Sequence, residues 1–149
     1  MRSRRREWLR VRHCLQAETD GGGFAVIKVF GGSDGAYPNS TLIQGTDGAM
    51  YGTTDEGGSA NKGVVYKLGT DGSAFAVLWN FGASAVDGAS PRGALMQGTD
   101  GALYGTTRDG GLYVYGTVFK LNPDGSHYSV LKSFSACGLM NETLQSMTG

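Results

Sequence analysis

The sequence predicts an all-β fold, a propeller-type array of four-stranded antiparallel blades. Three observations predict it. The phrase GTDGALYGTTRDGG, from Gly98 to Gly111, is a near-repeat of GTDGAMYGTTDEGG, from Gly45 to Gly58. Glycine is in excess, 26 residues of 149 against a usual share of about 7%, and it falls between short apolar runs, as turns in all-β proteins require. Within those runs apolar residues occupy both members of the two-residue period, which suits sheets packed between neighbours.

The repeat sets the element boundaries. Tyr51 aligns with Tyr104, an offset of 53 residues, and at that offset Leu42/Leu95, Gly52/Gly105, Thr54/Thr107, Gly63/Gly116, Lys67/Lys120, Val77/Val130 and Phe81/Phe134 all coincide. TDGGGFAVIKVFG (Thr19–Gly31) matches TDGSAFAVLWNFG (Thr70–Gly82) at an offset of 51, and Pro38 then matches Pro91 after a two-residue slip. A period near 50 residues indicates a repeat array before any other architecture.

Each unit reads as four strands. In the last one, strand one is Gly93–Gly98 and strand two Ala102–Thr107, joined at Asp100-Gly101, a two-residue hairpin turn whose glycine accepts positive φ. Strand three is Gly116–Leu121. Strand four is His127–Phe134, reached through Asn-Pro-Asp-Gly, where Pro123 presets φ and Asp124-Gly125 closes the turn. The preceding unit has Asp47-Gly48 and Asp71-Gly72 at its two hairpins. In strand three Thr117, Phe119 and Leu121 are expected on one face, with Val118 and Lys120 on the other. In strand four Tyr128, Val130 and Phe134 are expected together, as are Phe75, Val77, Trp79 and Phe81 one unit earlier.

The chain then divides into a basic non-repeat leader (1–18), a partial repeat holding a fourth strand and linker (19–39), repeat 1 (40–92), repeat 2 (93–134) and a non-repeat tail (135–149). Two units cannot close a ring, since propellers use about four to eight blades. An open array leaves two sheet faces of about 300 Å² each, comparable to the largest apolar patch a monomer carries. Self-association, completion by a partner or poor solubility is therefore expected, and the odd ends read as those of a truncated gene product.

The pattern DG-x-[LM]-YGTT-x-x-GG, followed by G-x-V-[FY]-KL-x-x-DG and VL-x-x-F, resembles the GloVer tandem repeat of bacterial choice-of-anchor proteins. The likeness runs from about Thr19 to Phe134. It implies a secreted or surface-attached repeat protein, and it transfers no catalytic residues.

Chemistry has little foothold. Residues 1–18 hold six arginines against Glu7 and Glu18, a charge of +4; the chain is neutral in total, so the body carries −4 and has no basic footprint for nucleic acid. Arg5-Arg6-Glu7-Trp8-Leu9 looks like the core of a twin-arginine signal, yet the apolar stretch that must follow is missing. A basic amphipathic helix bearing Trp8, Val11 and Leu15, or an unstructured leader, are the other readings. No run is long enough to span a membrane. Cys14 and Cys137 are either two free thiols or one disulfide.

His13 lies in the leader and His127 opens a strand where the other unit has Ala74; no Ser–His–acid set or metal-binding spacing stands out. No catalytic residue, metal or cofactor is assigned. Asp47, Asp71, Asp100 and Asp124 are read as turn residues that cap their own backbone. Specificity is expected where the units disagree. Ser59-Ala60-Asn61-Lys62 becomes Leu112-Tyr113-Val114-Tyr115. Tyr113 and Tyr115 offer flat amphipathic faces for a protein or carbohydrate ligand, or else extend strand three and pack on the next blade. The functional expectation is a non-catalytic, extracellular or cell-surface binding or structural module, a fragment of a longer array; the alternative is a fragment of a carbohydrate-active or other hydrolytic propeller enzyme.

Overall fold

The computed structural model describes the backbone of residues 13–17 and 24–136, with side chains from residue 26 to residue 136. The expectations for the Arg-rich head, for a Cys14–Cys137 bridge and for the segment after Ala136 lie outside the described residues. The described residues form strands, turns and bends with no helix.

Two four-stranded antiparallel sheets carry the repeats. The first is β3 (Ile43–Gln44), β4 (Met50–Thr54), β5 (Val64–Leu68) and β6 (Ala76–Asn80), in that spatial order. The second contains β8 (Met96–Gln97), β9 (Leu103–Thr107), β11 (Thr117–Leu121) and β12 (Ser129–Ser133), again hydrogen-bonded in chain order. Ahead of them β1 (His13–Ala17) pairs with β2 (Phe24–Val29). Two short strands, β7 (Gly88–Ala89) and β10 (Asp109–Gly110), strap the linker before repeat 2 to the loop beyond β9. Among the described residues the array does not close into a ring.

Residues 13–17, read above as part of a leader, therefore belong to the sheet structure. His13 pairs with Val29, Leu15 with Val26 and Ala17 with Phe24, while Val64 pairs with Asn80 and Tyr66 with Val77 in repeat 1. Both registers carry the same irregularity, between Cys14/Leu15 and between Val65/Tyr66, and repeat 2 has it between Val118/Phe119. HCLQA lacks the Val-x-Lys-Leu signature of a third strand. Its place is set by the partner strand β2, whose sequence does keep the pattern.

That recurring irregularity corrects the expected facing of strand four. The extra residue of a bulge shifts the alternation by one, so side chains beyond it change face. Phe75 and Val77 pack toward the β1–β2 hairpin, whereas Leu78, Trp79 and Phe81 pack toward repeat 2. The fourth strand is also shorter than expected: β12 begins at Ser129, and His127 sits before it at φ 54, as Ala74 does at φ 50.

The hairpins differ in type from the two-residue turns expected. Gly45 N–H donates to Ala49 O at 2.8 Å and Gly48 N–H to Gly45 O at 2.9 Å, which makes Thr46-Asp47-Gly48 a three-residue loop ending in a left-handed glycine at φ 80. The loops ending at Gly72, Gly101 and Gly125 repeat these bonds.

Packing follows from the stacking of hairpin, first sheet and second sheet. Between hairpin and first sheet lie Phe30, Val64, Tyr66 and Leu68, with Ile27, Leu42, Met50, Phe75 and Val77 around them. Between the two sheets lie Tyr51, Val65, Phe81, Leu95, Leu103, Phe119 and Leu121. Each layer holds one aromatic triangle. Phe30, Tyr66 and Phe75 have centroids 5.0, 5.8 and 5.8 Å apart; Phe81, Phe119 and Tyr128 have theirs 5.1, 6.2 and 5.9 Å apart. The edge-to-face members use the ring quadrupole, worth about 1 kcal/mol per pair beyond area burial.

Candidate functional site

The repeated phrase is built for architecture, residue by residue. In repeat 1, Asp47 Oδ1 accepts from Ala49 N at 3.1 Å, and Oδ2 accepts from the Tyr51 hydroxyl at 2.7 Å and Lys67 Nζ at 3.1 Å. In repeat 2, Asp100 takes Ala102 N at 3.2 Å, Tyr104 at 2.8 Å and Lys120 at 2.8 Å. Each lysine lies over its tyrosine ring, at 5.5 and 5.4 Å. One carboxylate thus fastens the turn, strand two and strand three. The Tyr51 hydrogen bond, then Lys67, hold the Asp47 carboxyl below its ordinary range; Lys120, then Tyr104, bring Asp100 down to about 2. Asp71 and Asp124 accept from Ser73 N and Ser126 N, each at 2.9 Å, in the outer hairpins.

The glycine of YGTT is there for closeness. A methyl on Gly105 would lie 2.5 Å from Phe119 Cζ, and one on Gly52 2.6 Å from the Tyr66 hydroxyl. The second threonine caps the following loop: Thr54 donates to Glu56 O at 2.8 Å and Thr107 to Asp109 O at 2.9 Å. Between the repeats, buried Asp87 accepts from Gly82 N at 2.9 Å, Gly88 N at 2.8 Å and the Tyr128 hydroxyl. Burial, then that bond, push the Tyr128 hydroxyl far above the ordinary tyrosine range. Asp55, also buried, is met by Arg92 at 2.9 Å.

The loop from Gly111 to Gly116 is different. In repeat 1 its counterpart is polar and locally satisfied: Asn61 stands at φ 53 and its side chain accepts from Gly57 N at 3.0 Å. Asparagine tolerates that left-handed backbone. Repeat 2 keeps the conformation and replaces the residue. Val114 stands at φ 63, where a β-branched side chain is strained by about 1–3 kcal/mol.

Nothing nearby repays the strain by burial. Leu112, Tyr113, Val114 and Tyr115 are 62, 51, 70 and 56% exposed, four successive apolar side chains facing solvent. Tyr113 and Tyr115, singled out from sequence, lie together in this loop and not in β11, which starts at Thr117.

Sequence reading passed over the Tyr–Lys members of the clamp, the staple at Asp87 and the strain at Val114. The first had a signal, since Asp47/Asp100, Tyr51/Tyr104 and Lys67/Lys120 recur together at the same offset. The strain at Val114 had none, because a left-handed φ at a valine is visible only in the backbone.

Sheets of identical register, turns and clamps, stacked in chain order, define an all-β tandem-repeat protein. The Gloeobacter/Verrucomicrobia repeat family model matches residues 14–148, and the chain belongs to that family. The match begins inside β1, in keeping with the strand found there. No curated protein matches the chain. Among the described residues no helix is long and apolar enough to cross a membrane, and no group of three or more His, Cys, Asp or Glu is placed to hold a metal ion.

Proposed function

We propose that this chain is a propeller-type array of stacked blades acting as a non-catalytic, extracellular binding module, with Leu112–Tyr115 as its contact loop for a carbohydrate or protein. The reading is carried by Val114. A fold that stores backbone strain at a solvent-facing valine, beside three other exposed apolar side chains, has kept a costly arrangement that does nothing for its own core. Tyr113 and Tyr115 supply flat rings with a polar edge, the side chains that cover sugar faces and anchor interfaces at low entropic cost. The recurrent Asp, Tyr, Lys and Thr side chains of each repeat are used internally, in the carboxylate clamps and threonine caps, which supports a scaffold role for the sheets.

The test is co-sedimentation with insoluble polysaccharides, cellulose, chitin and peptidoglycan in parallel. Tyr113→Ser combined with Tyr115→Ser should abolish retention on the bound polymer while the melting temperature stays within about 2 °C of the parent. Val114→Asn should raise stability by about 1 kcal/mol, since asparagine accepts that backbone. Absence of binding to all three polymers would remove the carbohydrate reading; a collapse in stability on losing the tyrosines would make the loop a structural element.

A further inference from the structure

The outer face of the second sheet carries the side chains that the first sheet uses to hold its neighbour. At the 53-residue offset Tyr51, Val65, Leu78 and Phe81 become Tyr104, Val118, Leu131 and Phe134, identical at all four positions. In the first sheet Tyr51, Val65 and Phe81 are 0% exposed, covered by repeat 2. In the second sheet Leu131 is 52% and Phe134 42% exposed, and Met96, in the place of Ile43, is 62% exposed. Among the described residues nothing lies over this apolar surface, whose twin in the first sheet is a fully buried interface.

The fifth position identifies what the occupant presents. Trp79 stacks on Tyr128 of the next unit at 3.9 Å, and Lys28, at the same position in β2, sits 3.9 Å from the centroid of Phe75. Each covers the aromatic that opens the neighbour's fourth strand. On the outer face this position is Lys132, in Leu131-Lys132-Ser133-Phe134, which parallels Ile27-Lys28-Val29-Phe30 of the hairpin. The occupant should therefore bring an aromatic residue at the start of its fourth strand, with an apolar residue two positions on.

The β1–β2 hairpin has that register. Phe24 aligns with Phe75 and Tyr128, and Val26 with Val77 and Val130; Leu15 is paired with Val26 as Tyr66 is with Val77 and Phe119 with Val130. Its far side is open where described: Val26 is 45% exposed, although Ile27 and Phe30 pack on repeat 1.

We infer that two molecules of this chain associate head to tail, the outer face of the second sheet in one receiving the β1–β2 hairpin of the other. The interface is heterologous. It joins two different surfaces, so assembly continues into a ring or a filament and does not stop at a symmetric pair. It is independent of the ligand proposed for Leu112–Tyr115.

Sedimentation velocity across a concentration series tests it, using Leu131→Asp for the tail and Val26→Asp for the head. Both positions are half exposed, and circular dichroism with thermal melting checks that the sheets persist. The parent chain should sediment as a mixture whose mean size rises with concentration. Each variant alone should remain monomeric, its self-association weakened about thirtyfold or more.

An equimolar mixture of the two variants should give a one-to-one complex and nothing larger, because each contributes its one intact face. If either aspartate removes the melting transition, Leu131→Ser and Val26→Ser take their place under the same criteria. A parent chain that stays monomeric, a Val26→Asp chain that assembles like the parent through tail-to-tail pairing, or a mixture that stays monomeric would each overturn the inference. The Tyr113→Ser/Tyr115→Ser chain should assemble like the parent even if it binds no polysaccharide, which separates this result from the ligand test.

Discussion

Phe81 and Phe134 are the same residue at the same place in successive repeats, one buried completely and the other 42% exposed. Truncating each to alanine measures what stacking contributes. Phe81 meets Phe119 edge to face at 5.1 Å and Tyr128 at 6.2 Å. Its removal forfeits the transfer free energy of a whole phenyl ring and leaves a cavity between two sheets tied by Asp87 and the linker strap, which limits collapse. A loss of about 3–5 kcal/mol follows. In a domain whose entire stability is about 5–15 kcal/mol, that is a drop in melting temperature of roughly 10 °C or more.

Among the described residues no second sheet lies over Phe134, and Phe134→Ala should cost about 1 kcal/mol, the part of its surface already shielded by its own sheet. The assay is urea denaturation followed by tryptophan fluorescence, both substitutions being made in the Leu131→Asp background so that assembly does not contribute. Equal costs at the two positions would refute the reasoning that the second sheet's cover is what makes Phe81 the more costly loss.

Acid should loosen the scaffold in a defined window. Asp47, Asp71, Asp100 and Asp124 all hold their protons less tightly folded than unfolded, with Asp100 at about 2. Their contribution is therefore complete above about pH 4 and lost as pH falls toward 2; urea midpoints at constant ionic strength should decline across that interval, and Asp100→Asn should flatten the decline. Gly105→Ala places a methyl 2.5 Å from the ring of fully buried Phe119, which has nowhere to retreat. It should cost about 1–3 kcal/mol by the same denaturation assay, and a neutral result would mean that the two strands are further apart than described.

Much of this fold was legible because it is periodic. The offset that aligns Tyr51 with Tyr104 also aligns the turn aspartates, the clamp lysines and the capping threonines, and each unit must solve the same bends with the same residues. The face of Phe119 could be read from simple alternation. That of Trp79 could not, because the bulge opposite Val65/Tyr66 resets alternation partway along β6, and no residue type marks a bulge of that kind. HCLQA was illegible as a strand for a related reason, since its pairing is imposed by β2 and not by its own pattern.

At the candidate site the division is similar. The sequence alone located Leu112–Tyr115, because divergence between repeats is a property of letters. Only the folded chain placed those four residues in solvent, and only it exposed the strain at Val114.

The sequence by itself determined the all-β class, the period, the positions of the turns and the family, all of which rest on short-range rules of backbone geometry and side-chain alternation. Tertiary structure decided which faces are covered: Phe81 and Phe134 are chemically the same, and what separates a core residue from an exposed one is whether another sheet lies against it. Burial is a relation between segments distant along the chain, so it is written in no single one of them.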